Sequence, residues 1–116
     1  MSGVSIIIPT LNEAECLGRT LRQLSLLEPP AAEVWVVDGG SVDETLAIAK
    51  AGGVNLLTCS PPGRSVQMNQ GAAAATGDVL CFLHADTGVP DDLVTLVEQT
   101  LLDPRIVGGG FISLMA

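Results

Sequence analysis

The chain is 116 residues long and 47% hydrophobic, and it carries 13 acidic against 5 basic side chains, a net charge of −8. That length holds one ordinary domain and excludes two, and so apolar a composition excludes a disordered polymer. Nucleic-acid binding by phosphate neutralisation is excluded too, because the basic residues Arg19, Arg22, Lys50, Arg64 and Arg105 are few and scattered.

In chain order, Val4 to Ile8 is a β-branched run of the kind that forms a strand covered on both faces, and Pro9 is expected to end it. Ala14, Leu17, Leu21 and Leu24 then recur at spacings of three and four, one face of an amphipathic helix. Glu33 to Val37 reads as a second buried strand. Ser41 followed three residues later by Glu44 has the form of a capping box, predicting a helix that carries Leu46 and Ala49 and stops at Gly52 and Gly53. Val54 to Thr58 is a third strand, and Ser65 to about Thr76 an alanine-rich helix able to lie close to a sheet. Val79 to Leu83 is a fourth strand. Pro90, with Asp91 and Asp92, marks a further helix start, and Ile106 to Leu114 a fifth strand loosened by Gly108, Gly109 and Gly110.

Compartment follows from what the chain lacks. Cys16, Cys59 and Cys81 are odd in number and widely spaced, a pattern that fits a reducing, cytoplasmic setting better than a disulfide framework or a zinc site. The start of the chain has no basic stretch, and Pro9 and Asn12 interrupt its apolar run too early for a signal peptide. No membrane span is predicted, for want of about 18 uninterrupted apolar residues.

Buried strands alternating with helices predict an α/β fold, a mostly parallel Rossmann-like sheet with helices on both faces. Ligands bind such sheets beyond the carboxyl ends of the strands, where strand order reverses. Three polar clusters fall on that edge: Pro9-Thr10-Leu11-Asn12-Glu13, Asp38-Gly39-Gly40-Ser41 and His84-Ala85-Asp86-Thr87. The first lacks GxGxxG, and the chain has no GxxxxGK[ST], which removes the common dinucleotide and P-loop readings.

Each cluster carries two readings. Asp38 is an acceptor suited to the N–H of a base or a ribose hydroxyl, with Gly39 allowing close approach, or it organises a turn. Asp86 offers oxygen to a hard divalent cation with His84 as second ligand or hydrogen-bond partner, or it caps a turn beside a satisfied histidine. Arg64, with Gln67 and Asn69 on the next helix, reaches a base or phosphate, or is solvated. Asn12 and Glu13 serve a ligand, or act as helix N-cap and first-turn acid.

Together these segments resemble the nucleotide-sugar-binding half of the family 2 glycosyltransferases, inverting enzymes of GT-A fold. The matching stretches are Val4 to Glu13, Val36 to Thr45, Gly63-Arg64 with Asn69 to Ala72 and Ala75 to Asp78, and Phe82 to Asp86, in the family's order. The resemblance implies a nucleoside pocket lined by Pro9, Asn12 and Glu13, base recognition by Asp38 beside Gly39, and support of base or phosphate by Arg64 and Asn69. It also implies Mn2+ or Mg2+ held by Asp86 and His84 against the diphosphate of a UDP- or GDP-sugar. The family's metal motif is Asp-x-Asp, and His84 stands in its first position. A further portion of similar length, with the acceptor site and the general base, follows in family members. The whole chain, 1–116, is therefore expected to be a truncated donor-binding domain with no catalytic base assigned and an acceptor of unknown identity. It is expected in the cytoplasm or peripherally at the inner face of a membrane. The apolar run Phe111 to Met115 is expected to form an edge strand that pairs with a second copy, which gives an alternative in which the chain is a noncatalytic, self-associating module.

Overall fold

The computed structural model describes residues 3–28, 30–59, 63–77, 79–85 and 93–95, and the backbone alone of 111–114. Five strands, β1 (Val4–Thr10), β2 (Glu33–Asp38), β3 (Asn55–Thr58), β4 (Val79–Leu83) and β5 (Phe111–Leu114), are joined by helices α1 (Ala14–Ser25), α2 (Thr45–Ala51) and α3 (Arg64–Ala74). They form one sheet in the order β3-β2-β1-β4-β5, and every pairing is parallel. The α/β expectation holds. The helix expected from Pro90 lies outside the described residues, apart from helical residues 93–95. So does the first part of the fifth strand, Ile106 to Gly110.

Strand alternation divides the interior. Ile6 and Ile8 pack with Leu17, Leu21 and Leu24 of α1 and Ala49 of α2, and Leu93 and Val94 join that face. Ile7, Val37 and Phe82 point the other way, against Met68 and Ala72 of α3. Each fully buried isoleucine or leucine contributes roughly 1.5–3 kcal/mol, so the central strand β1 is the main hydrophobic anchor of both layers. Helix α3 comes closest at Gly71, where a β-carbon would lie 2.5 Å from Ile7 Cγ2 and 3.1 Å from Val37 Cγ2.

Two local expectations fail for identifiable reasons. Pro9 does not end β1, which runs on to Thr10 and keeps pairing with β2 at Pro9↔Val37 and Thr10↔Asp38. Thr10 O accepts from Gly39 N across the β2 side. Alternation therefore turns the Pro9 nitrogen towards β4, whose pairing ends at Ile7↔Phe82, and its missing N–H breaks no ladder bond. The capping box does not form either. The Ser41 hydroxyl donates to Asp38 Oδ1 at 2.5 Å, a charged acceptor nearer than any helix end, and α2 begins only at Thr45. Its end is as expected: Gly53 adopts φ +70°, a left-handed conformation that glycine enters without strain.

Candidate functional site

In this strand order the reversal lies between β1 and β4, and a cleft of about 260 Å3 opens at their carboxyl ends. One wall is Pro9, Thr10, Leu11 and Glu13; the other is Gly63, Arg64 and Gln67 from the start of α3; His84 stands at the end of β4.

The β1–α1 and β2–α2 loops are tied together by side chains. Asn12 has φ 55°, a left-handed conformation that asparagine tolerates. It does not cap α1: its N–H donates to Ser41 Oγ at 2.8 Å and its Oδ1 accepts from Val42 N at 2.9 Å. Glu13 N donates to Thr45 Oγ1 at 2.9 Å. Asp43 accepts from Ala14 N at the start of α1 and from Thr45 N at the start of α2, so one exposed carboxylate serves both helix beginnings. The Thr45 hydroxyl bond, with the backbone bonds, holds Asp43 below the usual aspartate range. Glu13 is thereby fixed on the cleft wall, and the Cys16 thiol lies 3.4 Å from its Oε2.

Asp38 sits under this assembly with no exposed surface. Its Oδ1 accepts from Thr10 Oγ1 at 2.8 Å and from Ser41 Oγ, and its Oδ2 accepts from Gly40 N at 2.9 Å and Ser41 N at 2.7 Å. Burial raises its pKa, and the donors from Ser41, Thr10 and Gly40 outweigh burial, leaving it below the usual range. Four accepted bonds fill a carboxylate's capacity. The geometry is that of the turn-organising reading, with buried Gly39 in the turn it shapes.

On the opposite wall Gln67 is 4% exposed. Its Nε2 donates to Thr10 O at 2.9 Å and Val37 O at 2.8 Å, and its Oε1 accepts from Gly63 N at 3.1 Å. Arg64, three residues earlier on the same face, is exposed on the cleft. Asn69 is not in the cleft; it borders a separate hollow with Ser65, Met68, Leu80 and Phe82. Helical spacing carried the signal, since a residue three from Arg64 shares its face and one five away does not. The sequence reading put Gln67 and Asn69 together beside Arg64; Gln67 is in the cleft, with Thr10, and Asn69 is not.

At β4, His84 is half-buried on the cleft, and the following Ala85 is anchored from α1, where the buried Thr20 hydroxyl donates to Ala85 O at 2.5 Å. Asp86, the other residue expected to hold a metal, lies outside the described residues. Among the described residues no three metal-ligating side chains converge. Magnesium-type sites take one or two carboxylates and complete their shell with substrate phosphate and water; Asp86 is a donor of that type, whereas the His84 imidazole in the cleft is a poorer ligand for a hard cation.

The sequence pattern described as glycosyl transferase family 2 matches residues 5–113. The chain belongs to that family. Glucosyl-3-phosphoglycerate synthase of Mycolicibacterium smegmatis is 32% identical to this family 2 chain over 116 residues, which cover 92% of the chain and 37% of the relative. A PGL/p-HBAD biosynthesis glycosyltransferase of Mycobacterium bovis is 42% identical over 88 residues, 71% of the chain and 34% of the relative. A crystal structure of glucosyl-3-phosphoglycerate synthase from Mycobacterium tuberculosis, in complex with Mn2+, UDP and glucosyl-3-phosphoglycerate, matches with a TM-score of 0.75 and 26% identity. It covers 90% of this chain and 41% of that one. Another crystal structure of that synthase holds Mg2+ and UDP. The family 2 chain thus spans well under half the length of these relatives.

Proposed function

We propose that this chain is the donor-binding domain for inverting glycosyl transfer, taking a nucleoside-diphosphate sugar of UDP type together with Mn2+ or Mg2+. The observation that carries the reading is the cleft at the strand-order reversal, which brings Glu13, Arg64 and His84 together from three separate parts of the chain. The UDP and metal in the related synthase structures support the choice of ligand.

The nucleoside lies along Pro9 and the Asn12–Glu13 turn, where the Glu13 carboxylate accepts ribose hydroxyls. Asp38 acts on the ligand through the Gly39–Ser41 turn it holds. Arg64 offers a permanently charged guanidinium to the phosphates. Asp86 and His84 would hold the cation, which when bound supplies positive charge to the departing diphosphate. That arrangement lets a chain of charge −8 take up an anion. The acceptor belongs to the same reaction, and its chemical class is not defined by this cleft. The odd number and wide spacing of the cysteines, Cys16, Cys59 and Cys81, favour a reducing setting such as the cytoplasm, and among the described residues no helix is long and apolar enough to cross a membrane. A second reading, self-association, is favoured by the place of β5 at one edge of the described sheet; light scattering that shows a monomer at all concentrations removes it.

Titration calorimetry tests the main reading. UDP is expected to bind in the presence of Mn2+ and at least about tenfold more weakly after chelation or in Asp86→Ala, a loss of about 1.4 kcal/mol. No heat with UDP or GDP under any metal condition overturns it.

A further inference from the structure

The two walls of the cleft come from different layers of the fold, one from the end of the central strand β1 and the other from the start of α3. Something must fix their separation, because a cleft that breathes by an ångström loses its grip on a small ligand. Among the described residues lining the cleft, Gln67 bonds to both walls, through Thr10 O on the first and Gly63 N on the second. A third bond, to Val37 O, fastens it to the end of β2.

We infer that Gln67 is a positioning residue that sets the width of the cleft and, through Gly63, the placement of Arg64 against the ligand's phosphates. The inference rests on the donor-site reading above. Its chemistry is specific to a primary amide. Two strand-end carbonyls need two donors, and the Gly63 N–H needs an acceptor; a glutamine side chain has all three, whereas glutamate lacks the donors and methionine lacks both. With both Nε2 protons on protein carbonyls and only 4% of its surface exposed, Gln67 acts on the ligand through its neighbours. The link to Arg64 is short. Gly63 N donates to Gln67 Oε1 while Gln67 N donates to Gly63 O at 2.8 Å, a closed ring around the residue just before Arg64.

The test is a double-mutant cycle with Gln67→Met, which keeps the volume and removes the bonds, and Arg64→Gln. Affinity for UDP with Mn2+ is measured by calorimetry and thermal midpoints by circular dichroism. Gln67→Met is expected to weaken UDP about tenfold, and the double variant to bind within about twofold of Arg64→Gln alone. The two substitutions should instead add in thermal stability, where a merely structural role would act. Wild-type affinity retained in Gln67→Met, or additive losses of affinity, overturns the inference and leaves the donor-site reading standing. Failure of the wild-type chain to bind UDP overturns both. Should Gln67→Met not fold, nuclear magnetic resonance of the wild-type chain decides. The Gln67 Nε2 protons are expected to exchange far more slowly than those of exposed Gln70 and to shift together with the Gly63 amide when UDP and Mn2+ are added. Fast exchange, or a Gln67 side chain that does not respond, overturns the inference.

Discussion

Replacement of Gly71 by alanine sets two known effects against each other at the seam between α3 and the sheet. Helix propensity alone favours the substitution by about 1 kcal/mol, since glycine is the poorest helix former after proline. Packing opposes it. The new β-carbon would sit 2.5 Å from Ile7 Cγ2 and 3.1 Å from Val37 Cγ2, both on side chains with no exposed surface. Overpacking of this kind costs about 1–3 kcal/mol and shifts backbone, so the net expectation is that the propensity gain is cancelled or outweighed, a loss of up to about 2 kcal/mol. For a domain of this size a loss at the upper end lowers the melting temperature by roughly 10 °C. Thermal and urea unfolding followed by circular dichroism measure it. Ala73→Gly, at an exposed position of the same helix, serves as the propensity control and should lose about 1 kcal/mol. A Gly71→Ala chain more stable than wild type by the full propensity gain of about 1 kcal/mol would refute the close approach of α3 to β1, and with it the framework that places Arg64 and Gln67.

Asp38→Ala strands four donors, one buried and three partly buried, and is expected to lose about 2–4 kcal/mol in urea unfolding; Asp38→Asn should lose less, because its oxygen can serve the two backbone N–H groups while the hydroxyls of Thr10 and Ser41 rotate to accept. The reverse ranking would show that the carboxylate does not organise the turn. Acid should destabilise the fold through Glu33. Burial raises its pKa, and hydrogen bonds from Ser5 and Thr76 overcome burial and bring it from 4.5 down to about 2. A depressed carboxyl stabilises the fold above its unfolded pKa, and that contribution disappears as pH falls from about 4.5 through about 2. Asp38 and Asp43 are shifted in the same direction. Glu33→Gln should flatten this acid limb, and an unchanged pH profile would contradict the assignment.

Periodicity carried most of the fold. The apolar run Val79–Leu83 became β4 with its expected bounds, and Leu17, Leu21 and Leu24 became the buried face of α1. What pattern could not supply was competition between partners. Ser41 has the form of a helix cap, yet the Asp38 carboxylate three residues earlier takes its hydroxyl in a local turn. Pro9 has the form of a strand end, yet its nitrogen turns to the side where pairing has already stopped. At the site, the clusters after β1, β2 and β4 were legible because a parallel sheet places its ligand edge by topology. The division of labour within them was not. Asp38 and Asn12 are suited by type to touch a ligand, and the structure uses both to hold loops, with Gln67 as the bridge that no short motif marks.

The central claim is that the cleft between β1 and β4 takes a nucleoside diphosphate with a divalent cation. Mn2+ is paramagnetic, so amide spectra of the chain titrated with UDP and substoichiometric Mn2+ report the site directly. The expected result is selective broadening of Leu11, Glu13, Gly63, Arg64 and His84, with Leu26, Gly52 and Gly53 at the opposite edge unaffected. Broadening confined to that opposite edge, or none that depends on UDP, would contradict the claim.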